Sequence, residues 1–268
     1  MDNRAIGIFD SGLGGLTALT GLRRLMPNEN IIYFADSARV PYGGRAPEEL
    51  RRMTTQDLDF LGSFSVKAII AACGTASSTA ADLLEDYPLP VFGVLRATAR
   101  YMRGLEVDGP VAVIATEASI RAGSFKRELE KVLPGREVIA LACPELVPLI
   151  EGGHTDAADP LLRAGVESSL RPLSGRGLSA LVLGCTHYGI IGEAISAFLG
   201  EGVRLVSASD CAAGELQDYL VSAELQGGEG ETRFLTSGSV SAFSRSASAL
   251  LGMPVTAEQG PLMEVKDL

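Results

Sequence analysis

With 268 residues, 46% hydrophobic and 21% charged, the chain is long enough for one large domain or two modest ones and can bury a real core. A formal net charge of -10 argues against a nucleic-acid partner, because affinity for a polyanion depends on counterions displaced by Lys and Arg. An acidic whole still permits a locally positive pocket for a small anionic substrate.

No apolar run approaches the ~18 residues of a membrane span. Met1-Asp2-Asn3-Arg4 leads straight into an apolar strand, without the layout of a signal peptide. No membrane association and a cytoplasmic location are therefore expected. The four cysteines contain no Cys-x-x-Cys pair, and the chain has two histidines. This pattern fits neither a zinc site nor a disulfide framework, so free thiols and no metal are expected.

In chain order, apolar β-rich runs predict strands over Ala5–Phe9, Ile31–Ala35, Lys67–Ala72, Val91–Val94 and Val111–Ala115. Further strands are predicted over Glu137–Leu141, Ser179–Gly184, Val203–Val206 and Thr232–Leu235. Amphipathic stretches separate them: Phe125, Leu129, Val132 and Leu133 fall at helical spacing, while Lys126, Arg127, Glu128 and Glu130 lie off that stripe. Such alternation predicts an α/β fold with parallel sheets covered by helices on both faces. Gln226–Glu231 reads as a surface loop, and the tail after Pro254 as loosely ordered.

The chain also echoes itself. Ala5–Pro27 has the layout of Val111–Pro134, each running strand, polar turn, helix and a closing proline. Ile31–Gly44 parallels Val138–Gly153, each with a Val-Pro after the strand, and Lys67–Thr75 parallels Ser179–His187. Three matches in one order predict two similar parallel-sheet domains related by internal pseudo-symmetry, with the site in the cleft between them. Residues 1–97 with 209–268 would form one domain and residues 98–208 the other.

Cys73 and Cys185 take matching places in this echo, 112 residues apart, each after an apolar strand and before a helical stretch. In an open parallel sheet that end of the strand faces the ligand crevice. A helix starting there favours an anion, which predicts a thiol pKa drawn from about 8.5 toward neutrality. Taken alone, either cysteine reads as a small buried hydrophobe; the matched pair favours chemistry. Two thiols on opposite walls suit inversion of a stereocentre, one removing a proton from one face while the other returns one to the opposite face. A redox disulfide is the chemical alternative, though thiols holding a substrate between them stand too far apart to bond.

Asp10 and Ser11 lead into Gly12, Gly14 and Gly15, where small residues let backbone approach a ligand and the carboxylate can orient a thiol; a helix cap is the plainer reading. Thr17 breaks the G-x-G-x-x-G spacing, which argues against a dinucleotide. Pro41-Tyr42-Gly43-Gly44 can present backbone N–H groups to a carboxylate, or is an ordinary turn. Thr75, Thr116, Ser119 and Thr186 supply hydroxyls at loop or helix starts. His187, two positions beyond Cys185, can set that thiol's protonation, and Glu151 is a candidate assistant. Cys143 and Cys211 are assigned to packing.

IGIFDSGLGGLTAL, IIYFADSARVPYG, AACGTASS, VIATEASIRAG, LACPELVPLIE and LVLGCTHY occur in this order. Over nearly its full length the chain thus resembles the cofactor-independent glutamate racemases of bacterial cell-wall synthesis, within the aspartate/glutamate racemase family. The resemblance implies two α/β domains, interconversion of L- and D-glutamate for peptidoglycan precursors, no cofactor, no metal, and a homodimer. By position, Cys73 and Cys185 would be the acid/base thiols, Asp10 the partner of Cys73, and His187 with Glu151 the assistants of Cys185. Ser11, Pro41, Tyr42, Gly43, Thr75 and Thr186 would contact glutamate, with Gly74, Thr116 and Ser119 as further candidates.

Some positions depart from the family. Gly74 stands where Asn is common, which removes a side-chain hydrogen bond and is expected to leave space for a water. Gly189 replaces a Pro, Arg96-Ala97-Thr98 a Glu-Pro-Gly, and Ser207-Ala208 an Asp-Ser. A racemase of aspartate or another acidic amino acid, and a ligand-binding relative without turnover, are the competing readings.

Overall fold

The structure, a computed structural model, describes residues 2–261. Runs of branched and small apolar residues form two sheets in which every pairing is parallel. The first contains β1 (Ile6–Asp10), β2 (Ile31–Ala35), β3 (Ala68–Ala71) and β4 (Val91–Gly93). The second contains β5 (Val111–Ala115), β6 (Val138–Ala142), β7 (Ala180–Leu183) and β8 (Arg204–Ser207). The chain then returns to the first sheet with β9 (Thr232–Thr236) and β10 (Ala257–Gln259).

Strand order is β10-β9-β2-β1-β3-β4 in one sheet and β6-β5-β7-β8 in the other. Without the two C-terminal strands the orders are identical, so the repeat in sequence is a repeat in topology. β1, β3, β5 and β7 are buried at every residue, as expected for strands covered by helices on both faces. The helix Ser124–Val132 buries Phe125 and Leu129, the stripe its sequence predicted. Cys143 and Cys211 lie in two of the three hydrophobic clusters. Among the described residues no helix is long and apolar enough to cross a membrane.

All nine expected strands form, each end within one residue of the sequence reading. The tail after Pro254 corrects that reading as far as it is described. β10 pairs with β9, Val255 and Ala257 donate their N–H groups to Ser248 and Ser244, and Gln259 Nε2 donates to the carbonyls of Thr236 and Ser237. Val255 and Ala257 are buried in the core as well, but two alternating apolar residues are too short a period to read as a strand from sequence. Residues 262–268 of the same expectation lie outside the described residues.

A buried ion pair fastens the C-terminal return to the first sheet. Lys67 Nζ, just before β3, lies 2.5 Å from Glu29 Oε2 and donates to the carbonyls of Asp2, Leu225 and Gly227 at 2.7, 2.9 and 3.1 Å. Glu29 Oε1 accepts the Gly227 N–H at 3.1 Å. The Gly-rich loop before β9 is thus anchored at its base. Lys67→Met would strand the Glu29 carboxylate in the core and is expected to cost about 3–5 kcal/mol, the usual penalty for half a buried pair. Urea unfolding of this variant, and of Lys67→Met/Glu29→Gln with part of the loss restored, checks the assignment.

Candidate active site

Segments that follow β1, β2, β3, β5, β6 and β7 converge on one cavity of about 550 Å3. Cys73 and Cys185 each stand two residues beyond equivalent strands, β3 and β7, and both line it. The cavity therefore has one thiol from each half of the fold. All four cysteines are free.

The two thiols have unlike surroundings. Cys73 stands at the start of the helix Gly74–Thr79, as the sequence suggests, and its Sγ donates to Ser11 Oγ at 3.7 Å. Its pKa does not fall. Burial, then the negative charge of Asp10, pushes it up to about 12, outweighing the backbone N–H groups at the helix start. Cys185 precedes a short 3₁₀ turn, Thr186–Gly189, and the next α-helix begins only at Gly192. Cys185 Sγ lies 3.9 Å from His187 Nδ1, and His187 Nε2 lies 3.1 Å from Glu151 Oε1. Burial disfavours charge on His187, but its contacts with Cys185 and Glu151, and the charge of Asp10, raise its pKa to about 10. These contacts favour the charged imidazolium over the neutral ring.

Asp10, fully buried at the end of β1, accepts from the Gly12 N–H at 3.0 Å and from Thr186 Oγ1 at 3.3 Å. It acts on Cys73 through its charge; the hydroxyl partner of that thiol is Ser11. Thr75 Oγ1 and Thr116 Oγ1 meet at 2.9 Å across the two halves, and the Ala118 N–H donates to the Gly43 carbonyl at 3.0 Å. Ser119 is placed behind this wall, 3.0 Å from both Thr116 Oγ1 and Ser78 Oγ, and does not line the cavity. Ser11, Pro41, Tyr42, Gly43, Gly74, Thr75, Thr116 and Thr186 do line it, with Glu151 and His187. The Tyr42 hydroxyl, however, is bonded to Asp36 and Asp57.

Gly44 of the same turn lines the cavity too, as do Val40, Glu117, Pro144, Val147 and Pro148, which were not singled out. The internal echo held the signal for three of these. Val147-Pro148 answers Val40-Pro41, and Glu117 answers Ser11, so one wall predicts the other. Among the described residues no Lys or Arg lines the cavity. An anionic group there meets neutral donors and His187, with the carboxyl side chains of Glu117 and Glu151 also in the lining.

Glycines let the halves approach so closely. A Cβ on Gly14 would lie 2.2 Å from Thr186 Oγ1 and 2.5 Å from His187 Nδ1, so this glycine makes room for the opposite half and does not itself line the cavity. At Gly74 a Cβ would stand 2.0 Å from the Gly184 carbonyl oxygen. The place of the missing side chain is occupied by backbone, which corrects the expected space for a water. Other departures serve the scaffold: Ser207 caps the helix Ala208–Ser222, and Arg96 pairs with Glu85 and Glu128 at 2.8 and 3.3 Å.

Residues 17–216 match the Asp/Glu/Hydantoin racemase family. A glutamate racemase of Thermoanaerobacter pseudethanolicus is 36% identical over 254 residues, covering 94% of this chain and 95% of its own. A glutamate racemase isoform from Bacillus anthracis superposes with a TM-score of 0.91 at 32% identity, over 98% of this chain and 99% of that one. The Francisella tularensis glutamate racemase in complex with D-glutamate gives 0.88 at 33% identity, over 98% of each chain. A match of this length and extent settles the family: the chain belongs to the aspartate/glutamate/hydantoin racemases.

Proposed function

We propose that this chain interconverts L- and D-glutamate by two-thiol proton transfer at Cα, supplying D-glutamate for peptidoglycan precursors. One observation carries the reading: two cysteines from duplicated positions open on one cavity, one beside His187 and Glu151 and the other beside Ser11. Cys185, paired with His187, serves as the thiolate that removes the Cα proton. Cys73, with its proton directed at Ser11, delivers one to the opposite face. The electron pair left on Cα takes the delivered proton, so configuration inverts and the two sulfurs exchange roles. The proton transfers are complete in themselves and call on no bound cofactor.

Backbone N–H groups of the Tyr42-Gly43 turn and the hydroxyls of Ser11, Thr75 and Thr186 would hold the carboxylates, Asp10 orienting that set from behind. Glu151 keeps His187 charged. A homodimer acting in the cytoplasm belongs to the same reading, and sedimentation of the pure protein tests the dimer.

The direct experiment is incubation of the pure chain with D-glutamate, and separately with D-aspartate, in heavy water. Loss of optical rotation with deuterium entering Cα is expected for glutamate; glutamate left unchanged rejects the reading. Cys73→Ala and Cys185→Ala should each abolish interconversion, and because the equilibrium constant of a racemisation is one, kcat/KM falls equally in both directions.

The raised pKa of His187 makes a second prediction. A folded pKa of about 10 against an ordinary 6.5 means stabilisation fully present below about pH 6.5 and lost as pH rises through 10. The stability difference between wild type and His187→Gln, followed by urea unfolding, should shrink over that interval; a gap that widens with pH contradicts the imidazolium. Gly74→Ala should force the halves apart at Gly184. A displacement of about 1 Å between reacting groups costs on the order of 100-fold in rate, measurable in kcat/KM against an unchanged circular dichroism spectrum.

A further inference from the structure

Behind the Val40–Gly44 turn, Asp36, Arg39, Tyr42 and Asp57 form a buried cluster that the proton transfers at Cα do not use. Asp57 comes from the helix Pro47–Gly62, and the other three from the segment between β2 and that helix. Tyr42 Oη stands 2.5 Å from Asp36 Oδ2 and 2.9 Å from Asp57 Oδ2. A phenol carries one hydrogen and can donate to one of these oxygens. The second contact would set lone pair against lone pair in a buried site, unless that carboxyl carries a proton of its own.

The remaining partners say which carboxyl that is. Asp36 receives Arg39 Nε at 2.5 Å and Tyr42 on Oδ2, and Ser237 Oγ at 2.8 Å on Oδ1. That donor-rich setting suits a carboxylate. Asp57 receives Arg39 Nη2 on Oδ1 at 2.8 Å, which leaves Oδ2 facing the tyrosine oxygen. Burial, then the charge of Asp36, drives the Asp57 carboxyl well above its ordinary range. The turn is latched from its other end too, where Arg45 Nη2 and Nε donate to the Arg39 carbonyl at 2.7 and 3.0 Å.

We propose that Asp57 is a neutral carboxylic acid donating to Tyr42, which donates to Asp36, and that this chain makes Asp57 a positioning residue for the turn that receives a substrate carboxylate. The positioning role rests on the cavity being the glutamate site; the protonation of Asp57 does not.

The test compares the full chain with Asp57→Asn, Asp57→Leu and Tyr42→Phe. The infrared difference spectrum of wild type minus Asp57→Asn at neutral pH should contain the C=O stretch of a carboxylic acid, displaced in heavy water. Carboxylate bands in its place overturn the neutral assignment, whether or not the protein turns over glutamate. Asparagine keeps the pattern, its oxygen accepting from Arg39 and its NH2 donating to Tyr42, so KM for glutamate should stay within about threefold of wild type. Asp57→Leu and Tyr42→Phe each break the chain and should raise KM about tenfold with kcat changed far less, because the turn holds ground state and transition state alike. Should Asp57→Leu fail to fold, Tyr42→Phe decides. An unchanged KM in Tyr42→Phe, or Asp57→Asn as impaired as Asp57→Leu, overturns the positioning role. A wild type that leaves glutamate untouched removes that role together with the site reading, and the infrared band still decides the proton.

Discussion

The closeness of the two halves is the constraint on which the site depends. Gly14 lies against Thr186 and His187, and Gly74 against the Gly184 carbonyl, at distances that admit no Cβ. Direct bonds reinforce the approach, between Thr75 and Thr116, Ser78 and Ser119, and Gly43 and Ala118. Each of these contacts sits beside a strand end that delivers a cavity residue. A thiol from each half can therefore face one small space. Packing at this density makes the sulfur positions a property of the whole interface rather than of two loops.

Duplicated backbone does not mean duplicated chemistry. At one thiol stand a hydroxyl and a buried carboxylate; at the other stand an imidazolium and the glutamate that supports it. Geometry is shared and electrostatics are not. Inversion requires this inequality at any instant, since two equal thiols would give two acids or two bases. Asp10 participates on both sides, raising the Cys73 pKa and helping to keep His187 charged, from a single position at the end of β1.

Much of this was legible in the residues. Strands such as Val111–Ala115 are continuous β-branched and alanine runs bounded by turn residues, so type and limits both show. The echo placed Cys73 opposite Cys185, because a duplicated layout carries its functional ends with it. What escaped was set by tertiary contact. The helix start at Cys73 suggested an acidic thiol, yet burial and Asp10 reverse the effect. Gly74 read as a gap and is filled by Gly184, a residue 110 positions away. Tyr42 read as a substrate contact and does line the cavity, but its hydroxyl enters a buried cluster whose fourth member, Asp57, lies on a helix with nothing in its local pattern to mark it. β10 is three residues long and held by serine and glutamine side chains.

The return of β9 to the first sheet has a consequence for how the molecule is made. Ile31 pairs with Thr232, so β2 emerges from the ribosome about 200 residues before the strand that closes it, an interval in which the entire second sheet must appear. Through that time β2 presents an open hydrogen-bonding edge, the feature that invites strand addition from other nascent chains. The Lys67–Glu29 pair, whose lysine also donates to the carbonyls of Leu225 and Gly227, likewise lacks two of its partners until that later segment has been made.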